Sequence, residues 1–413
     1  LTDEDGNTTG ELELTEANGE VRQDYRTYNA TMVLDDLTTG AGMRFSEQAR
    51  LSGLVPGQSL EVRVRVESLS SLVDGKTLVY PERVNSLFAE TRTDTDGENT
   101  AVIKYCRHLQ NLDVDSGAGT LVERAVQEQD LEFNSSEVGG WSDCYPGQTF
   151  RPIRNAALKE YDSELTVGAD TYHPLIYDLP IEAGADGAGL FETIGDAVLR
   201  NIRIAGAKVS GEGNVGAIAG TATGTLELEG CQVYLSSARH LAGVTEKDIW
   251  LGGTVTGGLI GCAETGASIT IRDSFAATVL RGESAAGGLI GEVRAADVNI
   301  SRSYADSYIY AGETDGSAGG MLGVCDGNRL TMENSYAAGF LSGGVTAGLN
   351  AGSFSDTTVN NVYTACALLD ENGIMDYTTL VLGQNATSVG NISRLYYFNE
   401  GIKTSAYDER VYY

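Results

Sequence analysis

Ala286-Gly287-Gly288-Leu289-Ile290-Gly291 decides the fold, because it returns along the second half of the chain around one column of large apolar residues. Aligned on it, that column reads Leu190, Ile218, Leu259, Leu289, Met321 and Leu349, at intervals of 28, 41, 30, 32 and 28 residues. A second block follows each copy. Its columns, two residues apart, read Ala197, Leu226, Ile269, Val298, Leu330, Thr357 and Leu199, Leu228, Ile271, Ile300, Met332, Val359. Apolar residues at period two, with polar ones between, describe a strand with one buried face. A polar-then-aromatic step comes next, as in Asp273-Ser274-Phe275, Arg302-Ser303-Tyr304, Asn334-Ser335-Tyr336 and Asn361-Val362-Tyr363. Coils stacked in register put like residues ~4.8 Å apart, so Phe275, Tyr304, Tyr336 and Tyr363 are expected to form an aromatic stack. The glycines are expected at corners, where φ is positive or neighbouring backbones approach closely.

A repeat of about 30 residues also suits helical arrays and propeller blades. Period-two columns and dense glycine rule out helices, and blades need roughly 40–45 residues and four strands each. The fold expected is all-β: a right-handed parallel β-helix, or β-solenoid, with one coil per repeat.

Gly257-Gly258-Leu259-Ile260-Gly261, Gly287-Gly288-Leu289-Ile290-Gly291 and Gly319-Gly320-Met321-Leu322-Gly323 resemble the GLUG motif. Val215-Gly216-Ala217-Ile218-Ala219-Gly220 is a weaker copy, and Ala347-Gly348-Leu349-Asn350-Ala351 a degraded one. The resemblance covers residues 186–365. It implies a non-catalytic repeat region of a large exported bacterial protein, the setting in which GLUG repeats occur in adhesins and some immunoglobulin A peptidases.

The bulk composition agrees. In 413 residues there are 52 glycines but only 6 prolines, which fits short strands and tight turns rather than a collagen-like or proline-rich stalk. Fifty-eight acidic against 28 basic residues leave a net charge of −30. Such a polyanion repels nucleic acid and anionic membrane, and the thinly spread charge reads as solubility outside the cell. No apolar run reaches the ~20 residues of a membrane span. The chain opens at Leu1 without a signal pattern and reads as a processed product or an excised segment.

Residues 1–95 are expected to form a small β-sandwich. Ser59 to Glu67 alternates apolar and charged residues strictly, and Leu54-Val55-Pro56-Gly57-Gln58 before it resembles the corner of immunoglobulin-like and fibronectin type III domains. Leu60 replaces the tyrosine of that corner, so its hydrogen bond is absent. Residues 100–185 are read as a cap and opening coils. Tyr105, Leu109 and Leu112 have helical spacing for a short capping helix, with Trp141 packed against it. Residues 366–413 are read as a last partial coil and a C-terminal cap that protects the sheet edge.

Catalytic signals are missing, so no enzyme activity and no cofactor are expected. The six cysteines (Cys106, Cys144, Cys231, Cys262, Cys325, Cys366) have no CxxC spacing. They read as buried small apolar residues, with Cys106 and Cys144 the one pair worth testing as a disulfide. His108, His173 and His240 are scattered without metal-ligand spacing. Asp94-Thr95-Asp96-Gly97-Glu98-Asn99 has carboxylates for calcium but not the spacing of an EF-hand, and reads as a solvated loop. Parallel β-helices host polysaccharide lyases, yet no facing pair of carboxylates recurs here. The 41-residue interval contains an insertion of about ten residues within Leu235 to Gly253. His240 and Trp250 make it a candidate binding loop; a plain bulge packed by Trp250 is the other reading.

The function expected is a structural or adhesive segment at a bacterial cell surface, facing an extracellular ligand such as a glycan or a host surface protein. Two alternatives stand beside it. One is a carbohydrate-binding or polysaccharide-processing β-helix; the other is a self-assembling, pilin-like fibre subunit whose apolar helix precedes Leu1.

Overall fold

The computed structural model describes residues 13–14, 26–34, 43–51, 88–93, 97–113, 122–135, 141, 148–167, 169–184, 187–234, 250–369, 375–377 and 391–397. The chain divides into two compact units, Leu1–Gln148 and Thr149–Tyr413.

In the first unit, Arg26–Leu34 pairs antiparallel with Met43–Leu51, and Glu13–Leu14 lines the other edge of Met43–Leu51. The alternating stretch from Ser59 to Glu67 and the Pro56-Gly57 corner lie outside the described residues. Further on, Glu90–Thr93 turns back on Asn99–Ile103, which pairs parallel with Arg124–Gln127. The expected helix is present as Cys106–Gln110 (α1). It is buried all round, with Leu109 and Leu112 fully enclosed alongside Val102, Ile103 and Ala125. Trp141 packs its ring on Phe133 at 5.1 Å and donates Nε1–H to the carbonyl of Gln148 at 2.8 Å.

The second unit is a parallel β-solenoid, and the sequence columns are its backbone register. Tyr161 pairs with Leu199, Leu199 with Leu228, Leu228 with Ile271, Ile271 with Ile300, Ile300 with Met332, and Met332 with Val359. The motif column is fully buried at Leu190, Ile218, Leu259, Leu289, Met321 and Leu349. Its amides run up the stack: Leu259 donates to Leu289, Leu289 to Met321 and Met321 to Leu349, at 2.7–2.9 Å. The stack continues into the tail, where Ile392–Tyr397 pairs parallel with Ser353–Leu369. Met375–Tyr377 returns antiparallel on the end of that same strand.

Both expected roles of glycine occur, on different residues. The motif glycines Gly287 and Gly288 keep negative φ; close approach is what selects them. A Cβ on Gly287 would fall on the carbonyl of Ile290, and one on Gly288 on the carbonyl of Gly320. Gly258 stands in the same relation to Gly288, and Gly320 to Gly348, so the glycines form their own ladder.

Positive φ is concentrated at another corner. Asn201, Gly230, Asp273, Arg302, Asn334, Asn361 and Arg394 occupy equivalent places in successive coils, with φ between 48° and 65°. Asn, Asp and Gly tolerate this left-handed conformation best. Arg302 is held there by a two-point ion pair with Asp273, at 2.6 and 2.7 Å. The residue after each corner turns inward. Ser274, Ser303 and Ser335 are buried, and each hydroxyl donates to the carbonyl two residues back. Each also accepts an amide N–H from the preceding coil: Cys231 to Ser274, Ser274 to Ser303, and Ser303 to Ser335. This serine ladder pairs amides that the corner would otherwise bury unbonded.

Candidate binding face

The described residues bring no set of three His, Cys, Asp or Glu side chains together in a way that could hold a metal. His108 lies inside α1, accepts the Lys104 amide at Nδ1 (3.3 Å) and meets the Tyr105 ring edge-on at 5.1 Å. Burial pushes its pKa well below the ordinary value, so the ring is neutral. His173 is half-buried and its Nδ1 lies 3.1 Å from the Ser163 carbonyl. Cys231, Cys262, Cys325 and Cys366 are buried thiols, and burial raises the pKa of Cys231, Cys262 and Cys366 to about 12. A thiol so far from ionising is a poor nucleophile and a poor metal ligand. Cys106 is buried, and Cys144, the residue to test as its disulfide partner, lies outside the described residues. So do Asp94 and Asp96, while Glu98 pairs with Arg124 at 2.8 Å. No described helix is long and apolar enough to cross a membrane.

His240 and residues 235–249 of the insertion also lie outside the described residues. Trp250 stands where the chain rejoins the coil. It is a ladder residue, accepting the Val209 amide at 2.8 Å and donating to Val279 at 3.1 Å. Its ring is half-buried under the ammonium of Lys208, 5.6 Å from the centroid, a cation–π distance. Beside it a cleft of about 500 Å³ opens across four coils, from Ala183 to Arg281. Ser210, Gly252 and Arg281 share one column of its lining, Gly211 and Gly253 lie one residue on, and Glu212 and Glu283 stand at its rim. Glycines in adjacent columns recess the floor. The cleft therefore combines a serine, one guanidinium and two carboxylates next to an indole, a lining suited to a polar ligand with hydroxyl groups.

A second outward feature lies on the face made by Phe275–Ala277, Val279–Gly287, Tyr304–Tyr310 and their successors. Phe275, Tyr304 and Tyr336 stack at 4.6 and 4.7 Å with rings within 6° of parallel, as the alignment predicts, and Tyr234 closes one end at 6.2 Å. Tyr363 keeps the backbone register with Tyr336, but the ring stack stops at Tyr336; the two are 38% and 40% exposed. Four residues on, Tyr308 and Phe340 form a second row at 4.5 Å. Sequence reading missed this row, because Val279 and Ala367 occupy its other positions. Between the rows lie Asp306, Ala338 and Ala365 in register.

No family model matches the chain. A stretch of 143 residues, 34% of the chain, is 32% identical to halomucin from Haloquadratum walsbyi (strain DSM 16790 / HBSQ001) and spans 1% of that protein's length. The chain is also similar to a solved protein from Bacteroides ovatus provisionally named an immunoglobulin A1 protease. That likeness covers 77% of this chain and 88% of the other, at 13% identity and a TM-score of 0.41. A similarity of that size says nothing of chemistry or partner.

Proposed function

We propose that this chain is a non-catalytic segment of an exported surface protein, a rigid β-solenoid of GLUG-type repeats that displays a binding face. The observation that carries the reading is the unbroken parallel register from Glu160–Asp162 to Ile392–Tyr397. Such a stack holds its backbone fixed while its outward side chains vary, which is what a spacer or adhesive element needs. The net charge of −30 supports an extracellular setting, as does the partial likeness to a protein bearing a mucin's name.

A carbohydrate ligand is the second reading, favoured by the recessed cleft beside Trp250. The test is a glycan array together with immobilised host surface proteins. Saturable binding that weakens in Trp250→Ala and Arg281→Ala supports adhesion through this cleft. Turnover of a polysaccharide, above all if calcium-dependent, overturns the non-catalytic reading. Fibre growth in solution would favour the pilin-like alternative.

A further inference from the structure

We propose that the trough between the two aromatic rows is a binding site for an organic cation, an ammonium or guanidinium group, with Asp306 as its counter-ion. One wall is the stack Phe275, Tyr304, Tyr336; the other is Tyr308 with Phe340. On a strand the walls are four residues apart, roughly 13 Å between Cα atoms. Asp306 stands midway on the floor, and Ala338 and Ala365 continue it in the next two coils. Their methyl groups leave the trough open along the stack. At the opposite end Tyr234, which pairs with Ala277 and stacks on Phe275, blocks it.

Three features taken together set Asp306 apart from the other outward carboxylates. Glu229, Asp273, Glu292 and Asp297 each have an arginine partner, to Arg272, Arg302, Arg294 and Arg329 respectively. Asp306 has none among the described residues. Its surroundings are aromatic: its charge acts on Tyr304, Tyr308 and Tyr336. It stays accessible from solvent, yet the flanking rows remove enough water to raise its carboxyl above the ordinary carboxylate range. A charge kept partly desolvated without a partner costs stability, and ring edges cannot supply the missing positive charge in the way an incoming cation can. Tyr336 and Tyr308 each stack on only one ring, and the face each leaves unstacked gives that cation π surface beside a hydroxyl. Net charge favours its approach. A neutral sugar ring is a poorer fit, because the inner rings of a stack at 4.6 Å offer edges, not faces.

The test titrates the whole chain with choline, n-butylammonium and n-butylguanidinium by calorimetry, with 3,3-dimethylbutan-1-ol as the neutral isostere of choline. At least one cation should bind saturably, and the alcohol should not. Asp306→Asn should weaken that binding by about tenfold or more, and Tyr308→Leu by several-fold. Asp273→Asn, which removes a carboxylate already paired with Arg302, should leave it unchanged. Which cation binds tightest distinguishes a quaternary ammonium from a lysine-like or arginine-like source. Because Asp306 points outward, its Asn variant should melt no lower than wild type, which separates lost binding from lost folding. The proposal is overturned if the alcohol binds as well as choline, if none of the three cations binds saturably, or if Asp306→Asn binds as tightly as wild type.

Discussion

Replacing Gly288 by Ala tests what the repeated glycine is for. A methyl group there would fall on the carbonyl oxygen of Gly320 and crowd the Ala305 side chain. Gly288 itself donates to Gly319 at 3.2 Å, and the next residue, Leu289, donates to Met321 at 2.7 Å. The two coils must part at this corner to admit the methyl. Overpacking a close-packed interior costs about 1–3 kcal/mol, and weakening two backbone hydrogen bonds adds about 0.5–1.5 kcal/mol each. The total is about 2–6 kcal/mol. Gly266 supplies the contrast: its φ is +82° and a Cβ would meet nothing within 4 Å. Gly266→Ala should therefore cost only the left-handed backbone, about 1–2 kcal/mol. Urea unfolding followed by circular dichroism measures both. Hydrogen exchange over residues 255–325 shows whether the loss is local, since neighbouring coils are the unit of stability in a solenoid. If Gly288→Ala unfolds at the wild-type urea concentration, or costs no more than Gly266→Ala, close approach is not what selects the motif glycine.

Other substitutions probe the remaining columns. Ile271→Asp puts a carboxyl at a fully buried place in an apolar ladder and should cost about 4 kcal/mol or more; an unchanged melting curve would mean this column does not face inward. Ser303→Ala leaves the Ser274 amide without its acceptor, a loss of about 1–3 kcal/mol that should appear as faster exchange at Ser274. Asp306→Asn should stabilise the chain at neutral pH. Folding raises this carboxyl above its ordinary 3.8, so the folded state holds the proton more tightly and loses stability as pH rises through the window above 3.8. The facing groups, Tyr304, Tyr308, Tyr336 and Cys366, all have raised values and stay neutral there. The stabilisation by Asn should vanish below pH 3.8 in paired acid and neutral melts; a gain that persists in acid refutes the electrostatic cause. Finally, the net charge of −30 predicts a melting temperature that rises with salt, because screening relieves self-repulsion. A flat or falling profile would show the acidic residues are already compensated locally.

The amino-acid sequence by itself determined the coil. Alternation at period two and its return about every 30 residues are properties of the chain that need no tertiary contact to be read. They place Leu199, Leu228, Ile271, Ile300, Met332 and Val359 in one buried column, and that is the register of the solenoid. Three things required the structure. The sequence offers two reasons for glycine, and only the packed coils assign close approach to Gly288 and positive φ to the corner at Gly230. The polar residue after each corner reads as a surface residue, whereas Ser274, Ser303 and Ser335 point inward, because a left-handed residue breaks the alternation just before them. Asp306, too, looks like one more acidic residue in a polyanion. Its setting depends on Tyr304 and Tyr308 two residues away on either side, and on Tyr336 and Phe340 in the next coil, about 30 residues along the chain. Local pattern fixes which way a side chain points; only lateral register between coils decides what stands beside it.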